Sequence, residues 1–129
     1  MPTTQKIYRG ERPLDDEIGD CKVFVIALDS QGKEQSSALL HHVDLHSPDG
    51  FEWGYSGSGP ADLALSILAD FYGEKPTRQK LFAGNCKCWG PHQDFKRQFV
   101  APAPKSGFEI RSDEVAAFLS KWLSTHPDA

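Results

Sequence analysis

The sequence predicts an α+β fold: a small antiparallel sheet packed against about three helices, with the helices in a single layer on one face. Three observations carry this prediction. Cys21 to Leu28 is an almost unbroken β-branched and aromatic run that ends in Asp29-Ser-Gln-Gly-Lys33, a composition suited to a hairpin turn. Pro60 to Tyr72 is apolar around most of a helical circumference, which marks a core helix. Ser112 opens a second helical stretch with Val115, Phe118, Leu119, Trp122 and Leu123 on one face.

The elements follow in chain order. Gln5 to Gly10 alternates weakly and reads as a short strand carrying Ile7 and Tyr8, and residues 11–20, with Pro13 and Gly19, read as an acidic loop. The strand 21–28 is expected to pair antiparallel with a partner within Ser36 to His46, after which Ser47-Pro-Asp-Gly50 breaks the chain direction. In the core helix, Asp62, Ser66 and Asp70 leave one narrow polar stripe. Ser58 or Gly59 is the expected cap, Asp62 falls in the first turn, and Gly73 suits a left-handed C-terminal residue. Residues 74–91 read as an irregular insertion in a single domain spanning 1–129. Gly90-Pro91 starts a short helix to about Ala101, and Gly107 to Arg111 is a short strand before the helix that Ser112 caps.

Composition narrows the functional classes. The chain has 129 residues, 39% of them hydrophobic and 25% charged, the balance of a globular domain. It contains no apolar run of the ~20 residues a membrane span needs. Its first residues, Met-Pro-Thr-Thr-Gln-Lys-Ile, lack the apolar stretch of a secretory signal. Three cysteines are too few for a disulfide scaffold, so the expected location is the reducing cytoplasm. The net charge of −4 is unevenly spread. Residues 75–97 hold Lys75, Arg78, Lys80, Lys87, Lys96 and Arg97 against Asp94 alone, so the acids concentrate elsewhere. That asymmetry can steer a charged partner, although two solvated surface stretches would look the same.

Four constellations have chemical potential. The block Phe51-Glu-Trp-Gly-Tyr-Ser-Gly-Ser-Gly-Pro-Ala61 leads glycines into a helix N-terminus, where backbone N–H groups favour anions. A ligand there would meet Trp53, Tyr55, Ser58, Gly59 and Asp62, with His46 in reach. The alternative is a structural turn anchored by the aromatics, because Pro60 removes a donor and no phosphate-loop lysine is present. His42-x-Asp44-x-His46 aligns three ligand-capable side chains if residues 41–46 form a strand, and a half-exposed strand face gives the same pattern. Cys86-x-Cys88 with His92 is a second metal candidate, its spacing shorter than that of ordinary zinc sites; two ordinary thiols are the alternative. Finally, Phe82, Trp89 and Phe95 interleave with the basic groups of 75–97, as single-stranded nucleic acid requires, though the chain as a whole is acidic. No nucleophile elbow or complete catalytic set is present.

The sequence resembles an uncharacterised bacterial family, domain of unknown function 6166. The resemblance lies in Lys6-Ile-Tyr-Arg-Gly10, in His46-Ser-Pro-Asp-Gly-Phe-Glu-Trp-Gly-Tyr55 and Gly57-Ser-Gly-Pro-Ala61, in Leu63-Ala-Leu65, and in Gln93-Asp-Phe-Lys-Arg97 with the closing helix near Trp122-Leu123. It implies no established activity and no cofactor. Its association with plasmid and phage accessory proteins favours binding and modulation. The leading expectation is therefore a non-catalytic binding protein with a protein partner, nucleic acid being second. The alternatives are a small enzyme or anion-binding domain using the loop 53–60, and a metal protein.

Overall fold

A computed structural model describes residues 5–12, 21–46 and 50–127. The acidic loop predicted across 11–20 and the break at 47–50 fall mostly outside these residues. Four strands form one antiparallel sheet: β1 (Lys6–Glu11), β2 (Lys22–Leu28), β3 (Glu34–Leu39) and β4 (Gly107–Arg111), in the order β3-β2-β1-β4. Asp29 closes the β2–β3 hairpin. Its carboxylate accepts the N–H groups of Gln31 and Lys33, and Gly32 takes the positive φ that the turn requires.

Strand alternation divides the sheet into two faces. Tyr8, Val23, Val25, Phe108 and Ile110 join the main core under the helices, whereas Ile7, Phe24, Ile26 and Leu28 cluster on the other face. Gly10 sits opposite Phe108, and a Cβ at Gly10 would stand 2.2 Å from that ring. The aromatic ring covers the glycine, and any larger residue there would have to displace it.

The helical layer comprises α1 (Ser58–Tyr72), α2 (Arg78–Phe82), α3 (His92–Phe95), a π-helical turn at Lys96–Val100, and α4 (Ser112–Thr125). Helix α1 is buried continuously from Gly59 to Ala69. Gly73 ends it in the left-handed conformation, with Glu74 N–H bonded to the Ala69 carbonyl. Strand β1 is tied to this helix by the Tyr8 hydroxyl, which donates to Asp70 at 2.8 Å beside Lys6.

Several details differ from the sequence expectation. β3 ends at Leu39; the Leu40 N–H still meets the Val23 carbonyl, but beyond it α1 side chains take the N–H groups of Val43, Leu45 and His46, and no strand forms there. Helix α1 starts at Ser58, with Gly57 as N-cap and no side-chain cap; this shift moves Asp62 into the second turn. The stretch 74–91 is not wholly irregular, since Thr77 accepts the Lys80 N–H and caps α2. The helix expected to begin at Gly90-Pro91 is split into α3 and the π turn. Ser112 does not cap α4: Arg111 is the N-cap, with Glu114 reaching back to its N–H, while the Ser112 hydroxyl accepts from the Lys6 N–H.

Candidate functional site

Asp62, Ser66 and Asp70 recur every four residues, so they stack along one side of α1. The segment 42–46 lies across this stripe. The Ser66 hydroxyl accepts the Val43 N–H at 2.8 Å. Asp62 Oδ1 accepts the His46 N–H at 2.7 Å, and Oδ2 accepts His42 Nε2–H at 3.0 Å and the Leu45 N–H at 3.3 Å. Asp62 has no exposed surface. A buried carboxylate is stable only when its charge is met by such donors. The polar stripe is therefore the socket that holds an irregular segment against the core helix. The i, i+4 spacing of Asp62, Ser66 and Asp70 inside an otherwise apolar helix marked the stripe in the sequence, but not its role in holding residues 42–46.

Two of the three histidine-motif positions, His42 and His46, reach this socket by different routes. His42 uses its ring and packs on Phe51, with ring centroids 4.6 Å apart. His46 uses its backbone, and its ring turns towards α3, where its Nε2 lies 3.3 Å from His92 Nε2. Asp44 is exposed, with its carboxylate within 4.8 Å of the ligand atoms of His42 and Asp62. His92 donates from Nδ1 to the Trp89 carbonyl, which leaves Nε2 as an acceptor for His46 and the Gln93 amide. Trp89 stacks with the His46 ring and lies tilted against that of His92.

Burial lowers the pKa of His92 below its ordinary value; His46 and Lys96 act in the same direction, and the Trp89 carbonyl and Asp62 oppose it. A histidine with a depressed folded pKa adds stability that is complete above its unfolded pKa, ~6.5, and is lost as pH falls through the folded pKa. Urea unfolding between about pH 8 and pH 5 is thus expected to show stability declining on the acid side. The slope should be flatter in His92→Asn, whatever that variant's absolute stability. An unchanged slope would mean that His92 does not carry the effect.

The glycine block is packed on its own chain. Trp53 is fully buried and donates from Nε1 to the Pro104 carbonyl at 3.1 Å, edge-on to Phe108. Arg12 lies 5.0 Å over its ring and bonds both oxygens of Glu52. That pairing holds the Glu52 carboxyl below the usual carboxylate range. Gly54 carries the positive φ and donates to the Val100 carbonyl. Gly57 and Gly59 are small for space, since added Cβ atoms would meet Tyr55 at 2.7 Å and Glu52 at 2.9 Å. Tyr55 and Ser58 are exposed, and Gly59 is buried. Asp62 is not part of this loop's surface, because its carboxylate faces residues 42–46.

A family model matches residues 8–121, which takes in the socket, the glycine block and both metal candidates. The chain belongs to the family of unknown function DUF6166. No curated protein and no solved structure matches it significantly.

In this DUF6166 member, the cysteine pair meets a residue that the sequence reading missed. Glu74, just beyond α1, accepts the N–H groups of Lys87 and Cys88, so Glu74, Cys86 and Cys88 converge within 4.8 Å. His92 is not in this group; its ring faces His46. Burial pushes the thiols of Cys86 and Cys88 up, and Glu74 adds to the effect.

The basic residues divide into separate settings. Lys87 lies 5.8 Å over the Tyr72 ring, Arg78 reaches the Leu45 carbonyl, and Arg97 pairs with Asp94. Lys75 lines a hollow with His41 and Val43, Lys80 is exposed on α2, and Lys96 is half-buried near His92. Beside Lys87, a cleft of about 620 Å³ is walled by Tyr72, Cys86, Trp89, Trp122 and Leu123. Among the described residues, no helix is long and apolar enough to cross a membrane.

Proposed function

We propose that this protein acts by binding a partner protein, without catalysis, through the aromatic and basic face formed by α2, residues 84–91 and the end of α4. The observation that carries the reading is Phe82. It is 70% exposed at the end of α2 and meets the half-buried Trp89 edge-on at 6.1 Å. A phenylalanine held in water gives up roughly 1.5–3 kcal/mol of burial free energy. Phenylalanine is among the aromatic side chains enriched at protein interfaces. The neighbouring cleft offers space for an apolar side chain, and Leu123 is 45% exposed at its edge. Lys80 and Lys87 beside it favour a partner segment with an aromatic or leucine anchor flanked by aspartate or glutamate. Nucleic acid is the lesser reading, because the chain is acidic overall and Arg97 already has an acidic partner. Three cysteines are too few for a disulfide scaffold, which suits a reducing cytoplasm.

The test is affinity capture from the source organism with the parent protein and with Phe82→Ala combined with Lys87→Glu. The parent is expected to retain a stoichiometric protein that the double variant loses at an unchanged melting temperature. Equal capture by both forms, or capture abolished by nuclease, would overturn the proposal.

A further inference from the structure

We propose that His42, Asp44 and Asp62 bind a divalent first-row transition-metal ion beside the N-terminal half of α1. This inference is independent of the docking face. One imidazole nitrogen and two carboxylates have their ligand atoms within 4.8 Å of one another. His42 Nε2 and Asp62 Oδ2 are 3.0 Å apart. For an ion ~2.1 Å from each, that separation subtends roughly a right angle, the arrangement of adjacent ligands in six-coordinate geometry. The ion takes the Asp62 lone pair that now faces the His42 proton, and His42 ligates as the tautomer protonated at Nδ1.

The surroundings favour this use. Asp62 Oδ1 is held by the His46 N–H, which fixes the carboxylate in the way that ligand-orienting hydrogen bonds do in metal sites. Phe51 packs on the His42 ring and sets its plane. Asp44 is exposed and His42 only half-buried, so the ion has a path from solvent and keeps positions open for water. Asp62 is fully buried, where a cation beside a carboxylate interacts more strongly than in water. The donor set, one imidazole with two carboxylates, suits Mn²⁺, Fe²⁺ or Co²⁺. The Glu74–Cys86–Cys88 group is the alternative set, which thiolate ligation would distinguish.

Cobalt(II) is the probe, titrated into the full-length protein after chelator treatment and followed by visible absorbance and calorimetry. The expected result is stoichiometric binding with the weak bands of six-coordinate cobalt. Asp44→Asn, at an exposed position that leaves the fold intact, should weaken binding at least ~10-fold. The paired variant Cys86→Ser, Cys88→Ser should leave it unchanged. The proposal is overturned if no binding is seen, if Asp44→Asn binds as the parent does, or if cobalt gives thiolate charge-transfer bands that the serine variant abolishes.

Discussion

Asp62→Ala is expected to remove on the order of 3–5 kcal/mol of stability, because it leaves a buried set of donors without an acceptor. The alanine has no oxygen for the His46 and Leu45 N–H groups or for the His42 ring. Ser66 would still hold Val43, and Arg78 the Leu45 carbonyl. That amounts to about a fifth or more of the stability of an ordinary domain. Urea unfolding should show the midpoint falling by ~2 M with an unchanged m value. Asp62→Asn keeps the volume but turns a donor towards donors, so it should cost less, about 1–3 kcal/mol. A change below ~1 kcal/mol for the alanine variant would show that residues 42–46 are held by something else.

The sequence made the sheet and the two long helices legible for a simple reason. The β2 run, the α1 period and the α4 face are each written in local apolar spacing, and tertiary packing agreed with it. Residues 40–46 were not legible, because His42-Val-Asp-Leu-His46 has a strand's alternation and its partner is a helix side chain, not a strand. Nothing local distinguishes the two. The candidate metal set was half legible on the same account. His42 and Asp44 come from the motif, whereas the third donor, Asp62, arrives from a helix that sequence spacing does not place beside them. Glu74 escaped notice likewise, since its partners are backbone N–H groups more than ten residues away. The caps failed more narrowly: Ser112 is a good N-cap residue, but the Lys6 N–H on β1 claims its hydroxyl, and Glu114 serves Arg111 instead.

Trp53→Ala should be comparably severe, about 3–5 kcal/mol, for a different reason. The indole joins two segments distant from it in sequence: it lies under Arg12, and it meets residues 104–108 through the Phe108 ring on β4 and the Pro104 carbonyl. Its removal opens a cavity that the neighbouring backbone cannot fill. Gly54 is fixed by its positive φ and by the Val100 carbonyl, and Phe108 is fixed over Gly10. Trp53→Phe preserves much of the volume and the edge contact but forfeits the Nε1 hydrogen bond, so a loss of about 1–3 kcal/mol is expected. Urea unfolding followed by far-ultraviolet circular dichroism gives both values without relying on the deleted fluorophore. The order of the two variants is the discriminating result. Equal losses would assign the role of Trp53 to its hydrogen bond, whereas a much smaller loss for phenylalanine assigns it to packing, which is what the closed contacts of the glycine block predict.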